Sequence, residues 1–202
     1  MTSRVVHLID DDDALRDSVK LFLADASLDV RSYRSAVDFL KALDGARDGC
    51  VVTDVRMPGM SGIDLLVHMS ARGARLPVIV VTGHADVPLA VRAMKEGAFD
   101  LLEKPFRAED LLKAVTRALA APRNPLPNEQ ESEEARARLA TLSARETDVL
   151  DRLVRGQPNK VIAYEMGISP RTVEVHRANV MKKTQAANLS ELIRMFLNVD
   201  FG

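Results

Sequence analysis

An open parallel α/β sheet followed by a separate all-helical region is the architecture this sequence predicts. Three observations carry that expectation. Five short β-branched runs alternate with helically spaced segments up to about residue 121, a proline- and charge-rich stretch follows, and no strand-like run occurs from about Leu142 onward. The chain has 202 residues, which fits one large domain or two small ones, each able to bury a core.

The strand-like runs are VVHLI (Val5 to Ile9), DVRSY (Asp29 to Tyr33), CVVTD (Cys50 to Asp54), PVIVVT (Pro77 to Thr82) and FDLLE (Phe99 to Glu103). The third and fourth are nearly all apolar, as parallel strands covered on both faces should be. Helical faces lie between them. Leu15, Val19, Phe22 and Leu23 share one; Val37, Leu40 and Leu43 share the next; Ile63, Leu65, Leu66 and Met69 share the third. Val87, Ala90, Val91 and Met94, then Leu111, Leu112, Val115 and Leu119, complete the set. Five β–α units with right-handed crossovers give a flavodoxin-like sheet, expected in strand order 2-1-3-4-5.

After Ala121, APRNPLPNEQESEE combines three prolines with a charged run, the composition of a linker. Its second half, continuing as EQESEEARARLATL, has the pattern of a solvated helix. The expected organisation is therefore residues 1–121 as the α/β domain, 122–138 as a partly helical linker, and 139–202 as the helical domain.

Composition narrows the function. No apolar run approaches the roughly 20 residues that a membrane helix needs. The beginning, MTSRVVHLIDDDD, lacks a signal-peptide pattern, so no membrane association and a cytoplasmic location are expected. Cys50 is the single cysteine, which excludes disulfide scaffolds and cysteine metal clusters, and its apolar setting marks it as a small buried hydrophobe. Charge is uneven. Leu139 to Thr184 holds eight Lys+Arg against five Asp+Glu, a net of +3, whereas Met1 to Ala121 holds sixteen against eighteen, a net of −2. A basic helical part beside an acidic α/β part points weakly to nucleic acid.

Ligands of an open α/β sheet bind outside the C-terminal ends of its strands. Here the first strand ends in Asp10, Asp11, Asp12 and Asp13; the third ends in Asp54; the fourth ends in Thr82; and the fifth runs into Glu103, Lys104 and Pro105. Converging carboxylates repel one another and favour a hard dication such as Mg²⁺, which takes carboxylate, water and phosphate oxygens. A lysine and a threonine hydroxyl beside them suit phosphoryl oxygens. The set fits a carboxylate nucleophile that receives a phosphoryl group. Each residue alone has a plainer reading: Asp12 or Asp13 as a helix cap, Thr82 as a turn residue, Lys104 as a surface charge. Their joint placement at four strand ends favours the site.

These motifs resemble the receiver domain of two-component response regulators. LIDDDD, TDVRMPGMSGIDLL and VVTGHADVPLAVRAMKEGAFDLLEKPF carry the resemblance in that order, over roughly Val5 to Ala120. It implies that Asp54 is phosphorylated from a phosphohistidine on a sensor histidine kinase. It implies Mg²⁺ bound by Asp11, Asp54 and the backbone carbonyl of Arg56, with Asp10 and Asp12 completing the acidic pocket. Thr82 and Lys104 would bind the phosphoryl group, and Lys104-Pro105 resembles the family's cis X–Pro bond. Such receivers usually carry an inward-turning aromatic residue at the position of Leu101, so the switch formed by Thr82 and Leu101 is expected to be weaker or differently coupled. Movement of Thr82 would alter the surface of the fourth helix, fifth strand and fifth helix (Val87 to Ala120) by a shift of populations. There Val87, Leu89, Val91, Met94 and Lys95 are the candidate face of a homodimer formed on phosphorylation. The enzyme alternative, a phosphatase of the haloacid dehalogenase type, needs a second aspartate two residues after the first as general acid. Position 56 is Arg, so no turnover enzyme is expected.

In the helical part, Ser143 and Glu146 form a capping-box pattern before Leu150, Leu153 and Val154, and Gly156 ends that helix. NKVIAYEMGISPRTVEVHRANVMKKT then reads as helix, tight turn at Met166-Gly167-Ile168, and a second helix capped by Ser169 with Pro170 in its first turn. That is a helix-turn-helix pattern. Val173, His176 and Val180 should face inward, His176 as a packed histidine rather than a ligand. Arg171, Thr172, Glu174, Val175, Ala178, Asn179 and Lys182 are candidates for the major groove, with Glu174 able to accept from cytosine N4. Lys160, Arg177, Lys182 and Lys183 are candidates for phosphates.

LSARETDVL, GQPNKVIAYEMGISPRTVEVHRANVMKKT and LSELIRM resemble the LuxR/NarL-type DNA-binding domain over about Leu142 to Leu197. The FixJ subgroup, with its TVEVHRANVM form, resembles both halves and their order. The last helix, beginning with Asn188, Leu189, Leu192 and Ile193, supports dimerisation in the wider class. A phosphorylation-activated transcriptional regulator acting on double-stranded promoter DNA is the expected function, with RNA polymerase a candidate partner. The alternatives are a DNA-binding regulator with a phosphorylation-independent receiver, and a receiver acting as a protein–protein adaptor.

Overall fold

The computed structural model of the chain describes residues 4–45, 48–83, 87–121 and 129–200. In chain order the first elements are β1 (Val5–Ile9), α1 (Asp13–Asp25), β2 (Asp29–Tyr33), α2 (Ala36–Ala42), β3 (Cys50–Asp54), α3 (Gly62–Ala71), β4 (Val78–Thr82), α4 (Val87–Lys95), β5 (Asp100–Glu103) and α5 (Ala108–Ala120). Five helices follow: α6 (Glu129–Leu139), α7 (Ala144–Val154), α8 (Asn159–Met166), α9 (Pro170–Thr184) and α10 (Leu189–Asp200). The chain forms two compact units. Met1–Ala85 with Glu96–Pro125 make one, and Asp86–Lys95 with Leu126–Gly202 the other. The segment Asp86–Lys95, which carries α4, groups with the second unit. The prolines of the expected linker fall in 122–128, outside the described residues.

In the first unit the five strands are parallel in the order β2-β1-β3-β4-β5, as the alternating pattern predicts. Every residue of β3 and β4 is buried, because these central strands are covered on both faces. β2 is an edge strand, and its polar sequence DVRSY leaves most of it in water. Period-two alternation sends Val6, Leu8, Cys50, Val52, Ile79 and Val81 to one face. There they pack with Val19 and Leu23 of α1 and with Leu111, Ala114, Val115 and Ala118 of α5. Cutting a fully buried leucine such as Leu111 to alanine would cost about 2–5 kcal/mol, through lost transfer energy and the cavity left behind. Cys50, fully buried at the start of β3, has its thiol pushed up to about 12 by that burial, so it stays protonated.

The second unit is held by Leu150, Val154, Val180, Ala186 and Leu192, with Leu139, Leu142, Met181, Leu189 and Phe196 packed around them. α6 is thus solvated on one side only: Leu139 joins this core and Ala135 is buried. The capping box at α7 is present in both directions between Ser143 and Glu146. Gly167 takes φ +65°, the left-handed value that a tight interhelical turn requires and that a side chain disfavours. Ser169 then caps α9 through the Thr172 amide, with Pro170 in the first turn. Val173 and Val180 are fully buried and His176 half-buried, so α9 turns the expected face inward. No described helix is long and apolar enough to cross a membrane.

Candidate functional site

Two strand ends bring the acidic residues together, and a third adds a lysine. Carboxylate oxygens of Asp10 and Asp11, after β1, and of Asp54, at the end of β3, lie within 4.8 Å of one another. From the end of β5, the Lys104 ammonium donates to Asp10 Oδ2 at 2.8 Å and to Asp54 Oδ2 at 2.7 Å. Burial works against its charged form, but the two carboxylates outweigh burial and raise the Lys104 pKa. Asp54 Oδ1 accepts from the Arg56 amide at 3.1 Å, and Asp10 Oδ1 accepts from the Asp12 amide at 2.9 Å. The Lys104–Pro105 peptide is cis, and the Lys104 amide donates to the carbonyl of Thr82 at 2.7 Å. Thr82 itself is fully buried at the end of β4. Leu101 is half-buried in β5 and pairs in register with Val80.

Gly62 explains how α3 comes so close to this pocket. A Cβ there would lie 2.2 Å from the carbonyl oxygen of Asp54, so only glycine lets the helix start against the strand end. Asp12 is used differently from the expected acidic pocket. Its side chain accepts from the amides of Ala14 and Leu15 at 2.9 and 3.1 Å and caps α1, turned toward the orphan donors of the helix. The donor set of Asp10, Asp11 and Asp54 is all hard oxygen, with Asp11 exposed to solvent, and it fits a cation that keeps several waters. Three carboxylates and one ammonium leave two negative charges, which a dication would balance.

The pattern reading missed Arg16. It is buried on the same stripe of α1 as Val19 and Leu23, and its guanidinium reaches the Asp10 carbonyl and the Asp13 carboxylate. The signal was an arginine at the i, i+3, i+7 spacing of an apolar face. Of the candidate dimer residues on α4, Val87, Val91 and Met94 are buried, Leu89 is half-buried and Lys95 is exposed.

On the second helix of the helix-turn-helix, Arg171, Glu174, Val175, Ala178, Asn179 and Lys182 are all exposed along α9. Lys160 is exposed on α8. Thr172 is half-buried, its hydroxyl 2.8 Å from that of Ser169 in the cap. Two expected phosphate contacts are already engaged within the chain. Arg177 donates to Asn159 Oδ1 at 2.9 Å, and burial, partly offset by Glu174, lowers its pKa. Lys183 donates to Glu146 Oε2 at 2.6 Å; this bond, with those from Ser143, depresses the Glu146 carboxyl to about 2.

With both sites in place, comparison with known proteins is direct. Residues 6–116 match the response regulator receiver domain, and residues 140–196 match the bacterial regulatory proteins of the luxR family. The chain is 54% identical over 192 residues to the transcriptional regulatory protein FixJ of Azorhizobium caulinodans, covering 95% of this chain and 91% of that protein. This chain belongs to the FixJ-type response regulators. Over its whole length it is 46% identical to FixJ of Rhizobium meliloti, covering 99% of that protein. The crystal structure of full-length FixJ from B. japonicum aligns over 100% of both chains with a TM-score of 0.57 and 46% identity. As a response regulator with a luxR-family domain, it is a phosphorylation-activated regulator of transcription. A sensor kinase and DNA follow as its partners.

Proposed function

We propose that Asp54 is the phosphoryl acceptor of this response regulator. Its carboxylate oxygen attacks the phosphorus of a kinase phosphohistidine, the P–N bond breaks, and the imidazole leaves with a proton while an acyl phosphate forms on Asp54. The bridge from Lys104 to Asp10 and Asp54 is the observation that carries this reading. It holds a cation where charge accumulates on the transferred group. Asp10, Asp11, Asp54 and the Arg56 carbonyl would hold Mg²⁺, which supplies neutralisation of the phosphoryl oxygens when bound. Lys104 and the Thr82 hydroxyl bind the product, and Thr82 and Leu101 couple it to the rest of the domain as the switch.

Phosphorylated chains form a homodimer through the region of α4, β5 and α5, with Val87, Leu89, Val91, Met94 and Lys95 contributing where they become uncovered. α9 enters the major groove of promoter DNA through Arg171, Thr172, Glu174, Val175, Ala178 and Asn179. Lys160 and Lys182 serve the phosphate backbone. Engagement of Arg177 and Lys183 within the fold assigns them first to positioning α9. The regulator acts in the cytoplasm, and RNA polymerase is its further partner at the promoter.

The test is intact mass after incubation with Mg²⁺ and acetyl phosphate, comparing wild type with Asp54→Asn, followed by sedimentation of the same samples. A labile gain of one phosphoryl group in wild type alone, with a shift to dimer, is the expected result. No gain in wild type would favour a phosphorylation-independent receiver.

A further inference from the structure

We propose that Arg16 is a positioning residue for the acidic pocket, setting the geometry with which Asp10 and Asp11 meet a dication; this rests on the reading of that pocket as a Mg²⁺ site. A buried cation is costly unless its donors are satisfied, and Arg16 is only 7% exposed. Its fork is spent on the β1–α1 turn. Nη1 donates to the carbonyl of Asp10 at 2.7 Å, and Nη2 binds the Asp13 carboxylate. That carbonyl belongs to the peptide joining Asp10 to Asp11. Fixing its plane fixes the directions in which both side chains leave the backbone.

The remaining contacts of the turn show why such an anchor is needed. The four aspartates of the turn repel one another. The Asp10 carboxylate is held by Lys104 and the Asp12 amide, and Asp12 itself is committed to the cap of α1. Among the described residues, the hydrogen bond from Arg16 is what ties the peptide between Asp10 and Asp11. Arg16 also lines a small cavity under the pocket together with Asp10 and Asp54. Arginine is suited to this place because one rigid fork reaches two acceptors, which a lysine ammonium on a flexible stem cannot reproduce.

Geometry and charge make opposite predictions. By Coulomb's law alone, removing a positive charge beside a dication site tightens Mg²⁺ binding. Loss of an orienting contact weakens it, typically by about 10- to 100-fold for groups that support metal ligands. The experiment is calorimetric titration of the full chain with MgCl₂, with thermal melting in parallel, for wild type, Arg16→Lys and Arg16→Met. The expected result is a dissociation constant raised about tenfold or more in both variants, although Arg16→Lys keeps the charge. An Arg16→Lys constant equal to wild type with tighter binding in Arg16→Met would overturn the proposal in favour of charge alone. Lower melting with unchanged Mg²⁺ affinity would overturn it in favour of plain structural support. Should Arg16→Met fail to fold, Arg16→Lys decides by itself. Absence of binding in wild type would instead remove the Mg²⁺ reading on which the proposal stands.

Discussion

In the receiver, Lys104 meets Asp10 and Asp54 at 2.8 and 2.7 Å, and Asp10 and Asp54 are almost wholly out of water. Along α9, by contrast, Arg171, Glu174, Asn179 and Lys182 stand exposed. A buried charge cluster is strongly coupled, so one substitution changes the partners of every other member. An exposed row of polar side chains acts through many small contributions that nearly add. Chemistry on one covalent bond calls for the first arrangement, and recognition of a long polyanion calls for the second. The same chain therefore has one region intolerant of single changes and one that degrades gradually.

Among changes at the two charged regions, the largest expected effect comes from Gly62→Ala. Its new Cβ would sit 2.2 Å from the Asp54 carbonyl oxygen, so α3 or the end of β3 must shift. A stability loss of about 1–3 kcal/mol is expected, occasionally more, read as a lower urea midpoint of the receiver transition. Acetyl phosphate labelling should fall with it, because the displaced carbonyl belongs to the acceptor residue. A variant that keeps both its midpoint and its labelling would contradict the close approach.

Glu146 brings the buried style of charge into the second unit, and pH exposes it. Its folded pKa of about 2 lies below the ordinary carboxylate value, so the unfolded chain binds its proton first as pH falls. Stability from the Lys183 and Ser143 contacts is complete above the unfolded value of roughly 4.3 and is lost as pH drops toward the folded value. Urea melts followed by circular dichroism should show this loss, and Glu146→Gln should flatten it. Equal pH dependence in the variant would mean that another group is responsible.

The exposed row should show smaller, separable effects. Lys160→Ala and Lys182→Ala are each expected to reduce the slope of log affinity against log salt by about 0.9, one phosphate contact each. Lys183→Met should instead lower stability more than it changes that slope, because its ammonium is held by Glu146. Fluorescence anisotropy across a salt series separates the two behaviours. A full unit of slope lost in Lys183→Met would place that lysine on DNA after all.

Much of this was legible in periodicity. Continuous apolar runs gave β3 and β4, and the acids after β1 and at the end of β3 marked the pocket, because strand ends in a parallel sheet share one edge. Ser143, Glu146, Gly167, Ser169 and Pro170 marked the helical termini through local rules. The choice among chemically equivalent partners was not legible. Nothing in DDDD tells which aspartate faces Lys104 and which turns to cap α1, since that depends on the path of the backbone. The pairing of Lys183 with Glu146 spans 37 residues and follows from helix packing rather than from spacing. Arg16 was hidden by the rule that charged residues lie outside, a rule that fails where a buried carbonyl and a carboxylate receive the charge.

The inert thiol at the start of β3 has a practical consequence. Cys50 is the single cysteine of the 202-residue chain, fully buried, with its pKa pushed up to about 12. A maleimide probe at neutral pH would therefore find almost no native target in the folded protein. A cysteine placed at an exposed position, such as Val175→Cys on α9, becomes the only addressable thiol. Fluorophores and spin labels can then be installed in the natural background, without first engineering a cysteine-free chain.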